Sequence, residues 1–351
     1  MKDYFIILSV GKCSWGKCNF CGWGKLDFGK KNLEEIKEQF FKQYKKIGKN
    51  ENFRIKFYVS GSFFDKQVPE EFFNWLIDFL KEEKEKNQKL KAVLLESKII
   101  DLLNKKRVEK FLELREKGIE TWVGIGFEGV NNEELKLLKK DFQSVEQFLR
   151  ITKLVKKKYK LFFRVYFLIN PPIPGDYYKK AKDLGYWDSW TYNKNKEIIK
   201  KEIERLKRIL EISKGVFEEV VLINTYPHKN AEIFDLFYKK KWRPLTELEF
   251  KKVFEEFFGE FKNEYVLKKT RYEIDFNNYS FIPQFPTYLK KEYKEKIRGA
   301  KIENLINRVY EIWEEYFLYF YKPKKEKDLL FLLPCAAKKP YFLSKTHRLI
   351  K

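Results

Sequence analysis

Short runs of apolar, β-branched and aromatic residues recur along this chain at residues 4–10, 54–60, 91–96, 120–128, 160–169 and 218–223. Each has the length and apolarity of a buried strand. Between and after them, apolar positions return every three or four residues at 33–47, 69–86, 106–117, 144–158, 196–213 and 230–239. That is the period of an amphipathic helix, and Pro69 suits a first helical turn. Six strand–helix alternations predict a parallel sheet with helices outside it, and six are too few to close an eight-stranded barrel. Beyond residue 245 a helical stretch, the segment Ile282-Pro-Gln-Phe-Pro286, a second helical pattern at 301–320 and a charged linker at 322–327 predict a mainly helical extension. The chain thus divides into 1–245, 246–321 and 322–351.

Composition adds to this picture in two ways. Of the 351 residues 44% are hydrophobic and 18% aromatic, enough for a sizeable core. The formal net charge of +23 predicts an anionic partner, with nucleic acid first, because phosphates supply most non-specific affinity. Lysine-rich chains also arise for reasons of temperature or genome composition, so the charge alone does not select RNA. No apolar run has the length of a membrane span. The N-terminus opens on a strand with no signal sequence, and the expectation is a cytoplasmic protein with no membrane partner.

The candidate chemistry lies just after the first strand. Cys13, Cys18 and Cys21 fall within nine residues, in Cys13-Ser-Trp-Gly-Lys-Cys18-Asn-Phe-Cys21-Gly-Trp-Gly. Three crowded thiolates repel one another unless a soft metal centre neutralises them. Zinc needs a fourth ligand, and Cys335, His228 and His347 are all more than 200 residues away. A 4Fe-4S cluster with three protein ligands leaves one iron open to a small molecule. A disulfide loop, a zinc knuckle and free structural thiols are the bland alternatives, and the odd count disfavours disulfides.

Polar residues gather at the strand ends, where α/β folds of this kind place their sites. Strand two ends in Ser60-Gly61-Ser62, where glycine admits a close ligand, and a surface turn explains the triplet equally well. Strand three ends in Glu96-Ser97, a position that suits hydrogen bonds to a ribose and is equally that of a strand simply ending. Strand four, Val123-Gly-Ile-Gly-Phe-Glu128, carries small residues that imply something packed against its backbone. Strand five contributes Arg164 and Tyr166, spaced to share a face, and Asn170. An inward Arg164 needs an anion, such as a cofactor carboxylate or an RNA phosphate. Strand six ends in Asn224.

The cysteine segment, with Phe20 before its last thiol, resembles the signature loop of the radical SAM enzymes. The commonest spacing there has three residues between the first two cysteines, and this chain has four. Together with Val59-Ser-Gly-Ser-Phe-Phe-Asp65, Leu95-Glu96-Ser97, Val123 to Glu128, Ile169-Asn-Pro-Pro172 and Lys241-Trp-Arg-Pro244, it resembles the archaeosine-forming radical SAM family. The segments at Asn170 and Asn224 depart from that pattern.

The resemblance implies a partial (β/α)6 barrel in which Cys13, Cys18 and Cys21 hold a 4Fe-4S cluster. Phe20, Ser60, Gly61, Ser62, Glu96, Ser97, Glu128, Arg164, Tyr166, Asn170 and Asn224 would face S-adenosylmethionine. The implied reaction cleaves the lysine carbon–nitrogen bond of a lysine-modified deazaguanine base in archaeal tRNA, with an external electron donor. Methylthio-transferring and Elongator-like radical proteins are the neighbouring alternatives, and a zinc-containing RNA-binding module is the non-catalytic one. At the other end, Pro334-Cys335-Ala-Ala-Lys-Lys-Pro-Tyr341, with Ser344, His347 and Arg348, resembles a motif of the lysine-transferring archaeosine synthase, which implies a complex with such a protein. Lys268, Lys269, Arg271, Lys290 and Lys291, interleaved with Tyr272 and Tyr288, have the composition of an RNA surface, while any one of them taken alone reads as part of a solvated helical face.

Overall fold

The structure is a computed structural model, and it describes residues 1–172, 196–228, 230–238, 242, 244–245, 247–260, 266–267, 274–276 and 279–284. These belong to one compact unit, Met1–Phe285. All six expected strands are present: β1 (Lys2–Ile7), β2 (Phe53–Tyr58), β3 (Leu90–Ser97), β4 (Glu120–Glu128), β5 (Phe162–Ile169) and β6 (Glu219–Asn224). The helices between and after them are α1 (Leu33–Tyr44), α2 (Glu70–Lys86), α3 (Lys105–Leu112), α4 (Asn132–Leu137), α5 (Val145–Tyr159), α6 (Lys196–Ser213), α7 (Glu232–Tyr238) and α8 (Glu247–Glu260).

A seventh parallel strand extends the six expected. After α8 come β7 (Val266–Leu267), β8 (Ile274–Phe276) and β9 (Tyr279–Gln284), and β9 pairs with β6 in parallel. The sheet order is β1-β2-β3-β4-β5-β6-β9-β8-β7, with the last two strands antiparallel. Pro283 hides this strand from a sequence reading, since proline is excluded from central ladders. It is tolerated because the β8 pairing ends at Phe281, so that Pro283 lies past it.

The sheet curls into a partial barrel, and two side chains prove it. Arg54 on β2 and Glu219 on β6 lie four strands apart, about 19 Å in a flat sheet. Their charged groups meet at 2.8 Å. The outer face carries the large core: Ile55, Phe57, Val123 and Val165, all 0% exposed, pack under Phe40 of α1, Phe73 of α2 and Phe148 of α5. The inner face carries the alternate residues, because side chains in a strand alternate. At its base lie Ala92, Leu94 and Trp122, with Phe162 stacked on Trp122 at 5.0 Å.

The free edge of β1 is closed by helix side chains. Ile7 N–H donates to Gln43 Oε1 (3.0 Å), Gln43 Nε2 donates to the Ile7 carbonyl (2.8 Å), and Ser9 N–H donates to Gln39 Oε1 (2.9 Å). Covering an edge in this way prevents pairing with another chain. Among the described residues no helix is long and apolar enough to cross a membrane. Residues 301–320, 322–327 and the Cys335 motif lie outside the described residues, as do Lys268, Lys269, Arg271, Tyr272, Tyr288, Lys290 and Lys291.

Candidate functional site at the mouth of the barrel

The three cysteines sit on the loop that follows β1, and its base is pinned. Lys12 and Asp27 form an antiparallel bridge, Gly11 N–H donates to Gly29 O, and Phe28 N–H donates to Gly11 O, each bond 3.0 Å. Gly11 and Gly16 take left-handed conformations (φ 57° and 59°), which glycine adopts without strain. Between those ends the loop lies across the carboxyl ends of several strands. From the β2 side, the Gly61 backbone comes so close that an added Cβ would sit 3.1 Å from Cys13 Cα. From the β4 side, Asn19 N–H donates to Leu138 O (3.3 Å), Asn19 Nδ2 to Leu137 O (2.9 Å) and Trp15 Nε1 to Lys139 O (2.7 Å). From the β6 side, Ile233 N–H donates to Asn19 O (2.9 Å) and the His228 imidazole packs onto Gly22.

All three thiols are half-buried. Gly24 lies among them: its N–H donates to Cys21 Sγ at 3.3 Å, and a Cβ on it would meet Cys21 Sγ and Cys13 Cβ at 3.6 and 3.8 Å. Burial pushes the Cys18 thiol up to about 11, against the Lys140 ammonium beside it, and raises Cys21 as well, against the Gly24 N–H and Lys140. A thiolate there needs a metal or a cation to offset burial. The donor set fits an iron–sulfur cluster: three soft thiolates on one pinned loop, a backbone donor to one sulfur and a cation nearby. Among the described residues no three His, Cys, Asp or Glu side chains converge as a single-ion cage. A cluster that takes one thiolate on each of three irons asks for no such convergence.

Below the loop the lumen is polar and stepped. Glu96, Gly124 and Arg164 lie in register across β3, β4 and β5. Gly124 makes room for Tyr166, whose hydroxyl would be 3.1 Å from an added Cβ, and Gly126 makes room for the folded-back Glu128 carboxylate and for Lys140. The strand-four glycines therefore admit side chains of the protein itself. Glu128 has φ 75° at a bulge where the β4–β5 register shifts. Burial lifts both Glu96 and Glu128 to about 7. Around Glu96 the Tyr166 hydroxyl and Arg164 pull the other way, and around Glu128 Lys140 does. Glu96, Tyr58 and Tyr166 keep partial exposure although protein surrounds them, as groups in an open lumen do. The two tyrosine hydroxyls are 3.5 Å apart.

Several of the expected contact residues are engaged within the fold. Arg164, 3% exposed, does have an anionic partner, and it is Glu219 of β6 at 2.9 Å. Asn224 spends its amide on the Leu245 backbone, Nδ2 donating to the carbonyl (2.8 Å) and Oδ1 accepting from the N–H (3.3 Å). Asn170 has φ 51°; its N–H donates to Glu202 and its carbonyl accepts from Trp242 Nε1. Glu202 belongs to a buried cluster in which Arg205 bridges Glu202 and Glu134, bracing the ends of β4 and β5. Ser62 Oγ lies 3.2 Å from Ser97 Oγ and accepts from Phe64 N–H, and Ser60 Oγ accepts from Gln67. Gly61 approaches Cys13 and Gln67, so its missing side chain serves the cysteine loop. Phe20 lies under the Lys140 ammonium, 5.7 Å from the ring centroid.

Sequence reasoning missed Asp3, Arg54, Lys56, Tyr58, Lys140 and Glu219, and it set His228 aside as too distant along the chain. For Arg54, Lys56 and Tyr58 a signal existed: charged and phenolic residues at every second position of an apolar strand, the spacing that singled out Arg164 and Tyr166.

A family model described as a domain of unknown function, DUF5591, matches residues 310–351, a stretch that takes in the motif at 334–348. No curated protein matches. Among solved structures the chain is similar to the archaeal Methanocaldococcus infernus Elp3 with an N-terminal deletion, at TM-score 0.44 and 16% identity over 91% of this chain and 64% of that one. It is similar to methylornithine synthase, PylB, at TM-score 0.40 and 14% identity over 73% and 63%. It is also similar to TsrM, a radical S-adenosylmethionine methyltransferase from Kitasatospora setae, at TM-score 0.38 and 9% identity over 67% and 39%. This chain spans less than two thirds of the length of each of these solved chains.

Proposed function

We propose that this chain is a radical S-adenosylmethionine enzyme of tRNA modification, cleaving the lysine carbon–nitrogen bond of a lysine-modified deazaguanine base to form archaeosine. The observation that carries the first part is the placement of Cys13, Cys18 and Cys21 on one pinned loop across the carboxyl mouth of a partial barrel. The order of motifs along the chain carries the second, with the net charge of +23 in support of an RNA substrate.

Cys13, Cys18 and Cys21 would hold a 4Fe-4S cluster. Bound there, the cluster and S-adenosylmethionine supply a one-electron reductive cleavage that yields a hydrogen-abstracting adenosyl radical. The residues of the chain do the rest. Lys140 offsets the charge of the thiolates beside it. Gly24 N–H steadies Cys21. Glu96, lifted by burial to about 7 against the pull of the Tyr166 hydroxyl and Arg164, is able to give or take a proton at working pH, as loss of the amine from carbon requires. The walls of the lumen keep water and competing donors from the reacting carbon. A lysine-transferring archaeosine synthase as partner and an external electron donor complete the proposal.

Incubation of the anaerobically reconstituted chain with lysine-modified tRNA, S-adenosylmethionine and a reductant, followed by nucleoside analysis, tests this reading. Archaeosine formed by the wild-type chain and lost in Cys18→Ala supports it. No archaeosine, with or without the partner synthase, defeats the narrower assignment, and normal turnover by Cys18→Ala defeats the cluster.

A further inference from the structure

The loop that carries the cysteines has a second composition. From Lys12 to Leu26 it holds Lys12, Lys17 and Lys25 and no acidic residue, interleaved with Trp15, Phe20 and Trp23. Two of the three rings have a place in the fold. Trp15 is anchored through its indole N–H to Lys139 O, and Phe20 lies under Lys140.

Trp23 is different. It opens the short turn Trp23–Lys25 with its side chain at the surface, 49% exposed, tilted 58° against His228 with ring centroids 6.1 Å apart. Lys12 and Lys17 are exposed, and the Lys17 ammonium lies 4.9 Å over the Trp15 ring. Neighbouring lysines are spent on carboxylates: Lys139 on Glu232 at 2.6 Å, Lys98 on Asp65 and Asp101 at 3.3 and 3.2 Å. No ion pair holds Lys12, Lys17 or Lys25 among the described residues. A single exposed tryptophan is ordinary. An exposed tryptophan backed by an imidazole, on a stretch whose own residues 12–26 hold three lysines in no ion pair and no acid, with Asp65 spent on Ser14 and Lys98 beside it, at the entrance to the candidate site, is a specific arrangement.

We propose that this rim binds the unpaired bases of an RNA loop, with Trp23 stacking one base and Lys12, Lys17 and Lys25 holding the flanking phosphates. The inference rests on the RNA-directed reading above and names the surface that would serve it. A base inside a duplex cannot reach a reacting centre in a barrel lumen, so it has to leave its stack, and a ring at the entrance replaces part of the stacking lost. Aromatic rings take unpaired bases irrespective of sequence, while cations track the backbone.

The test compares an RNA hairpin with an unpaired loop and a blunt RNA duplex carrying the same number of phosphates, titrated against the full chain over a salt series. The wild-type chain should prefer the hairpin. Trp23→Ala should weaken hairpin binding about five- to hundredfold and abolish the preference, because stacking is worth about 1–3 kcal/mol per base. Trp23→Phe should retain the preference. Lys17→Ala should weaken both RNAs and lower the salt slope by about 0.7. An unchanged hairpin preference in Trp23→Ala overturns this inference and leaves the RNA reading standing. Binding of neither RNA by the wild-type chain overturns both. If Trp23→Ala does not fold, Trp23→Phe and Lys17→Ala decide: an unaltered salt slope in Lys17→Ala, or a lost preference in Trp23→Phe, counts against the rim.

Discussion

At the floor of the barrel Asp3, Arg54, Lys56, Arg164 and Glu219 answer one another. Arg54 reaches Asp3 and Glu219, each at 2.8 Å, Arg164 reaches Glu219 at 2.9 Å, and Lys56 pairs with Asp3. Arg54, Lys56 and Arg164 are at most 4% exposed. Beside that layer Glu96, in register with Arg164, and the Tyr58 and Tyr166 hydroxyls keep partial exposure to the lumen, and at the mouth the cysteines are half-buried on a loop held by its neighbours. The same residue types thus serve two ends. Buried cations that share two carboxylates fix the curvature of the sheet, whereas groups left between burial and access with no such partner are the ones able to do chemistry. Even the floor is not fully satisfied. Arg54 Nη1 and Arg164 Nε are buried without a hydrogen-bond partner, and burial beside Arg164 and Arg54 pushes Lys56 down to about 8.

This contrast breaks if a mouth substitution unfolds the chain or a floor substitution merely slows it. The largest effect belongs to Cys18→Ala and Cys21→Ala. Each should abolish iron retention and S-adenosylmethionine cleavage, measured by metal analysis and chromatography, while urea unfolding of the apoprotein shifts by no more than about 1 kcal/mol. Next comes Glu219→Ala, which leaves the buried Arg164 without its carboxylate and Arg54 with Asp3 alone. Its unfolding free energy should fall by about 3–5 kcal/mol in the same urea assay. Asn224→Ala leaves the buried Leu245 backbone groups unpaired, and a loss of about 1–3 kcal/mol is expected by urea unfolding, through a residue that sequence alone placed at the cofactor.

The smallest effect on stability is that of Glu96→Gln. The folded chain holds the Glu96 proton up to about 7, against an ordinary 4.5. Between those values the folded state binds more protons than the unfolded one. The contribution of Glu96 to stability is therefore present below pH 4.5 and lost as pH rises through about 7. Chemical unfolding at pH 4.5 and pH 8 should show that fall in the wild-type chain and a shallower one in Glu96→Gln. Turnover should lose its inflection near pH 7 in the same variant.

Strands one to six were legible because buried parallel strands are near-continuous apolar runs, and each was followed by a helix of clear period. Strand β9 was not, since Pro283 and the short hairpin β7–β9 erase the run. The cysteine loop stood out as a candidate from spacing alone, because three thiols in nine residues have few structural uses, and its position after the first strand is where the structure has it. Arg164 was recognised as a cation in need of an anion, but its partner was not, because Glu219 becomes a neighbour only when strands pair and the sheet curls. Asn224 and Asn170 mark strand ends in the sequence whether they face a ligand or clamp a loop, and only the hydrogen bonds to Leu245, Glu202 and Trp242 distinguish these. Lys140 and His228 carry no local signal at all. They reach the cysteine loop from the segments after β4 and β6, a proximity that exists only in the folded barrel.

The central claim is that the mouth of this barrel holds an iron–sulfur cluster that cleaves S-adenosylmethionine. The most direct measurement reconstitutes the full chain anaerobically with iron and sulfide, adds S-adenosylmethionine and dithionite, and quantifies bound metal and 5′-deoxyadenosine. The expected result is a brown protein with about four irons per chain and 5′-deoxyadenosine formed together with methionine. A colourless protein carrying stoichiometric zinc, with S-adenosylmethionine left intact, would contradict it.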